Sequence, residues 1–268
     1  MEIIHRIGIT ASKEQQIILQ DLGVWIKEVN VFTTFEISEH TAIYAQLKPL
    51  IDQWNLMDIS VASFDSHEMN NAAYLAFRDC WANGYPMPDQ NIGYKSMVYD
   101  TNQSCVACGV GLVQKAPFQL KNKPSWKKKK VFMLHWIYDE IFIRKDVYDF
   151  LFQPLNINCR PVLLHKNQAI LEDTVQLILP IANHDLPLPS QSFVVCDSCG
   201  QKKYTLITRD YFPSYHQNPE FEIFKTKEYF GFDSHARQYI VMSQAFREKM
   251  LQEGIQLNYI PCKVAVNR

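Results

Sequence analysis

Cys105-Val106-Ala107-Cys108-Gly109 and Cys196-Asp197-Ser198-Cys199-Gly200 are the two stretches whose reading decides how this chain is organised. Each is a C-x-x-C-G knuckle, and together they supply four thiols, the complete ligand set of a tetrahedral structural zinc. The glycine has a physical reason. A turn that wraps two sulfurs around one ion tends to need positive φ, which glycine reaches without a Cβ clash. Backbone N–H groups in such a turn can then point at the sulfurs and spread their charge. A pair of redox-active C-x-x-C motifs is the rival reading, in which the first thiol is activated at a helix N-terminus. Here Cys105 follows a turn-like approach, Asp100-Thr101-Asn102-Gln103-Ser104. Cys196 ends the apolar run Phe193-Val194-Val195 and is followed, beyond a polar stretch, by Tyr204-Thr205-Leu206-Ile207. The second pattern is strand, knuckle, strand, the hairpin that a zinc ribbon requires. With Cys105, Cys108, Cys196 and Cys199 filling the shell, no position is left for water, so the expected cofactor is a structural Zn2+ and not a catalytic one.

Residues 109–195 separate the knuckles. Closing so long a loop costs about 4–5 kcal/mol of chain entropy, against about 10–16 kcal/mol apparent for a structural zinc site. The spacing is therefore tolerated if the intervening chain folds. Cys80, Cys159 and Cys262 sit in apolar surroundings and read as small core residues. Seven cysteines in 268 residues, an odd count, suit a reducing compartment better than a disulfide scaffold.

Composition narrows the classes further. Apolar residues make up 47% and aromatics 13%, which is globular and not disordered. Net charge is −1, from 27 basic and 28 acidic residues, so no general attraction to nucleic acid or membrane is expected. The start, Met1-Glu2-Ile3-Ile4-His5-Arg6, has no charged region followed by an apolar one, and no apolar run approaches the roughly 18 residues of a spanning helix. The expected location is cytoplasmic, with no membrane contact.

The first 82 residues read as strand–helix–strand–helix–strand–helix, an α/β or α+β unit. Residues 2–9 are strand-like; Ser12 and Gln15 form a capping box, and Gly23 stops that helix. Residues 24–36 return to β-rich composition. Ser38 can cap a second helix carrying Ile43, Tyr44, Leu47, Leu50, Ile51 and Trp54, which Pro49 should kink or restart. A strand over Asp58–Phe64 precedes a helix opened by Asp65 and Glu68, with Met69, Ala72, Ala73, Ala76 and Cys80 on one side. Residues 83–100 are turn-rich and read as a linker. Residues 101–268 read as a mostly antiparallel β half carrying the four-cysteine zinc ribbon, with residues 110–195 as a long insert. The whole is expected to be α+β. Strands are expected at Val131–Tyr138, Pro161–His165 and Thr174–Ile181. Ile141-Phe142-Ile143 with the following Lys145 to Phe152 aligns without a gap on Ile240-Val241-Met242-Ser243 and the following Gln244 to Leu251. Each is followed by a β-like run, 157–165 and 256–264. One pair of segments leaves open a duplication or two uses of one unit.

The remaining candidates for chemistry are few. Lys121, Lys123 and Lys127, Lys128, Lys129 and Lys130 form the one dense basic patch. It is either a contact to phosphates or an acidic partner, or a solvated hairpin tip protecting the edge of the strand at Val131; the second is favoured. Asp139-Glu140 is a carboxylate pair, but chain neighbours usually point apart, so a turn or helix-end role is expected. His135 reads as a hydrogen-bonded core histidine. His165, His184, His216 and His235 show no metal spacing, and no nucleophile elbow, phosphate loop or deaminase signature occurs. An enzyme is not expected.

The paired knuckles resemble the bacterial double-CxxCG motif proteins. The stretch Thr226-Lys227-Glu228-Tyr229-Phe230-Gly231, with Tyr239-Ile240-Val241-Met242-Ser243-Gln244-Ala245-Phe246, Gly254-Ile255 and Ile260-Pro261, looks like the ending of that family and of related polymorphic-toxin immunity proteins. The resemblance spans residues 100–264 and carries over only the zinc ligands. It implies a non-enzymatic, protein-binding role, with a toxin as the partner. Two alternatives stand beside it. One is a nucleic-acid-binding ribbon using the Lys121–Lys130 patch, which near-neutral charge disfavours; the other is an enzyme with its site in the N-terminal unit.

Overall fold

Ser12 begins the first helix by the expected reciprocal bonds: its hydroxyl accepts the Gln15 N–H (3.3 Å), and the Gln15 side chain accepts the Ser12 N–H (2.9 Å). The computed structural model describes residues 1–215 and 219–263 and shows an α+β protein built mostly from antiparallel sheets. Among the described residues no helix is long and apolar enough to cross a membrane. Two compact units are present, Met1–Asn70 with Ile207–Tyr211, and Asn71–Leu206 with Phe212 onward.

The first unit alternates β1 (Glu2–Thr10), α1 (Lys13–Asp21), β2 (Phe32–Ser38), α2 (Ala42–Gln53), β3 (Met57–Ser63) and α3 (Ser66–Asn71). Its sheet has the order β2-β1-β3, antiparallel throughout. Alternate side chains of β1, Ile7 and Ile9, pack with Leu19 of α1 and Tyr44, Leu47 and Ile51 of α2. Three local expectations are corrected. Residues 24–31 form no strand, because Val24 and Ile26 turn inward to this same core. Thr41, not Ser38, caps α2, its hydroxyl accepting the Tyr44 N–H (3.1 Å). Pro49 lies inside an unbroken α2, whose apolar face anchors it on both sides of the proline.

The second unit begins with β4 (Tyr74–Asp79), where a helix through Ala76 to Cys80 was expected. The Asp65/Glu68 cap is present, but its helix stops at Asn71 because Tyr74 to Asp79 pairs on both edges. Residues 83–100 are not a linker: α4 (Tyr94–Val98) and the short β5 (Tyr99–Asp100) place Tyr94, Val98 and Tyr99 in the core. β6 (Val113–Gln114) pairs with β5, and β7 (Gln119–Leu120) follows. The expected strand Val131–Tyr138 is instead a hairpin, β8 (Val131–Leu134) and β9 (Ile137–Arg144), turning at His135 and Trp136. His135 is therefore exposed and no core histidine, and Asp139 and Glu140 lie inside a strand, not at a turn or helix end.

After β9 the chain forms α5 (Lys145–Val147), continued as one wide turn over Tyr148–Phe152, then β10 (Asn158–Leu164) and β11 (Ile170–Ile178). β12 (Phe193–Val195) and β13 (Lys202–Tyr204) flank the second knuckle. β14 (Ile223–Lys225), β15 (Tyr229–Phe230), β16 (Ile240–Ser243), α6 (Gln244–Gln252) and β17 (Asn258–Pro261) complete the unit; the run expected over 256–264 ends outside the described residues. Two sheets have the orders β7-β10-β11-β9-β8 and β14-β16-β4-β17. In each, the self-similar segments make the same arrangement. β9 and β10 both pair antiparallel with β11, as β16 and β17 both pair with β4. Each segment is thus a split β–α–β unit with an antiparallel strand between its two strands. Phe152 meets Phe246 edge-on at 5.3 Å between ring centres.

Candidate metal centre

Both knuckles are hairpin tips. The first lies between β5 and β6, and the second between β12 and β13. They close with the same backbone bonds. Gly109 N–H donates to Cys105 O (2.7 Å) and Cys105 N–H to Val110 O (2.9 Å); Gly200 N–H donates to Cys196 O (2.8 Å) and Cys196 N–H to Gln201 O (3.0 Å). Gly109 and Gly200 have φ of 75° and 70°, the left-handed conformation that the motif's glycine was expected to supply.

The two tips meet. Cys105 Sγ stands 3.7 Å from Cys196 Sγ, and Cys108 Sγ stands 3.6 Å from Cys199 Sγ. All four sulfurs lie within 4.8 Å of one another, a group that can hold a metal ion. Cys108 is buried and Cys199 exposed, so the centre opens to solvent from the second knuckle. The Cys196 thiol is pulled down to about 6, first by the Ser198 N–H and then by that of Cys199, while burial pushes the Cys108 thiol up to about 12. A bound cation would favour the thiolate form at every position. Lys203, buried behind the first knuckle, donates to Cys108 O (3.2 Å) and to Asp233 O, and brings a positive charge to what would be an anionic centre. Nothing in the sequence marked Lys203 for this place; it shares a lysine pair with Lys202, which lies over the Phe193 ring.

The other candidates are dispersed. Lys127, Lys128 and Lys129 are exposed just before β8, the outer strand of its sheet, while Lys130 donates to Glu253 O. Cys262 is buried, and Cys80 and Cys159 are half-buried, away from the four-thiol group. His165 Nδ1 meets Gln119 Oε1 at 2.7 Å, and His216 lies outside the described residues. In the first unit His5 is 2% exposed. Its ring sits between Asp58 Oδ1 (2.8 Å) and Glu39 Oε2 (3.3 Å).

Compared with protein families, curated proteins and solved structures, the chain matches none.

Proposed function

We propose that Cys105, Cys108, Cys196 and Cys199 hold one structural zinc ion in a ribbon. The protein is then a non-enzymatic, cytoplasmic binding module, an immunity protein that covers the active surface of a bacterial toxin. One observation carries the zinc reading. In a tetrahedron of four sulfurs with Zn–S near 2.3 Å the sulfurs stand about 3.8 Å apart. The two cross-knuckle pairs stand 3.7 and 3.6 Å apart, well beyond the roughly 2.05 Å of a disulfide. That spacing suits a shared ion better than thiol–disulfide chemistry, and a shell of four protein sulfurs favours structure over catalysis.

The binding half is supported by apolar surface beside the centre. Val106 is 88% exposed and Val194 66%, with Phe193 and Val195 open on the same hairpin. Exposed apolar residues gathered on the two knuckle hairpins suit a partner surface. The exposed Lys127, Lys128 and Lys129 offer an acidic partner a second contact.

Elemental analysis of the purified chain should find zinc equimolar with protein, and Cys105→Ser or Cys199→Ser should lose it. Full retention by both variants rejects the centre. For the immunity role, the chain should protect growth when co-expressed with a toxin encoded beside it; absence of protection, with zinc intact, rejects that role alone.

A further inference from the structure

A cleft of about 100 Å³ opens in the second unit between the β8–β9 turn, α4 and the segment after β15. Its floor is charged. Glu140 Oε1 pairs with Lys225 Nζ at 2.6 Å, and Glu140 Oε2 accepts the Gln176 amide at 2.9 Å. Both side chains of the pair are nearly buried, so Lys225 is committed to Glu140. Asp139, next on the strand, accepts a long bond from the Gln238 N–H (3.4 Å). Lys95 is on the rim, yet no ion pair joins it to Asp139 among the described residues. The cleft thus holds two carboxylates and two ammonium groups; Lys225 is committed to Glu140, and Asp139 has no ion-pair partner among the described residues. Burial first, and then the Asp139 charge, push the Tyr94 hydroxyl up to about 12 and raise that of Tyr229.

The walls are aromatic. Tyr94 and Trp136 lie nearly parallel, 20° apart in plane and 6.1 Å between centres, and Tyr229 also lines the cleft. Trp136 has φ of 70° at the second turn position, which usually takes glycine. A bulky residue in that conformation is strained, and such strain gathers at ligand sites. The residue is 41% exposed, with the Tyr85 ring centre 4.5 Å from that of the indole. Aromatic faces beside a carboxylate attract a cation and give an anion little.

We propose that this cleft binds an organic cation, a guanidinium or ammonium head group, against Asp139 and the exposed Trp136. Under the binding-module reading the cation is a partner's Arg or Lys side chain; otherwise it is a free small molecule. The test follows the Trp136 indole N–H by NMR in the full chain, assigned with Trp136→Phe, during titration with acetyl-arginine amide and acetyl-lysine amide. Acetyl-glutamine amide and acetyl-glutamate amide are the controls.

A saturable shift with either cation, absent with both controls and weakened by salt, is the expected result. Asp139→Asn should weaken it by about tenfold or more. An arginine-containing pentapeptide and agmatine then separate the sources: tighter peptide binding points to a partner's side chain, and tighter agmatine binding to a free molecule. No saturable shift with either cation, an equal response to acetyl-glutamine amide, or unchanged affinity in a folded Asp139→Asn would overturn the proposal. Should Asp139→Asn fail to fold, the controls and salt dependence on the unaltered chain decide.

Discussion

Gly109 and Gly200 occupy equivalent places in the two knuckles but meet different surroundings. A methyl group on Gly109 would stand 2.2 Å from Ser234 O, whereas one on Gly200 would find nothing within 4 Å. Gly200→Ala should therefore cost only the left-handed backbone penalty of about 1–2 kcal/mol. Gly109→Ala should cost more and release metal more readily, because Ser234 must move; denaturation curves with metal analysis check both. Lys225 poses a different question. Burial raises the Glu140 pKa above its ordinary value, and Lys225 opposes the shift. Lys225→Met leaves a buried carboxylate without its partner, a change worth about 3–5 kcal/mol near neutral pH. A raised carboxyl pKa means that the folded state holds the proton longer than the unfolded one. In the variant the Glu140 contribution should thus be most favourable in acid and be lost as pH rises from 4.5 through the folded pKa, more steeply than in the parent. Chemical denaturation across that range tests the sign. Neither the Glu140–Lys225 pair nor Lys203 was legible in the sequence, since each partner lies far along the chain and no spacing rule joins them.

Element by element, capping was the most readable feature. Ser12 with Gln15 and Asp65 with Glu68 behave as their spacing implies, because a cap needs only residues within one turn. Helix length was less readable. The pattern Met69 to Cys80 suits a helix locally, yet Tyr74 to Asp79 becomes a strand between β16 and β17, where two ladders of backbone bonds outweigh a weak propensity. α2 shows the converse, continuing through Pro49 although proline lacks the donor. Pro49→Ala should stabilise the first unit by about 1–3 kcal/mol, readable as a higher denaturation midpoint. In the same unit Glu39 is held below the ordinary carboxylate range by His5 first, with burial opposing and Arg209 assisting. A lowered carboxyl pKa stabilises the fold above 4.5 and loses that contribution as pH falls through the folded value. Glu39→Gln should flatten this part of the first unit's acid-unfolding curve; an unchanged curve would assign Glu39 no such role.

At the scale of the whole molecule, two cores imply two transitions. One contains Ile7, Leu19 and Leu47 and the other Phe118, Phe132 and Phe142. Cys105→Ser or Cys199→Ser should lower and broaden the second unit's calorimetric transition and leave that of Met1–Asn70 with Ile207–Tyr211 in place. A single transition shifted as one would sink that expectation. The boundary itself was invisible beforehand. Ile207–Tyr211 joins the first unit through the Thr208 carbonyl, which accepts the Ala62 N–H (2.6 Å), and through the Arg209 contact to Ser60 (3.0 Å). By itself the sequence determined the α+β class, the caps at Ser12 and Asp65, the two left-handed glycines and the four residues whose sulfurs converge. Those follow from chemistry carried within a few consecutive residues. Tertiary structure alone decided that Tyr74 to Asp79 is a central strand, that residues 83–100 belong to the core, and that Asp139 and Glu140 open onto an aromatic cleft. Strand partners and buried charges are chosen by surfaces that meet only after the chain has folded.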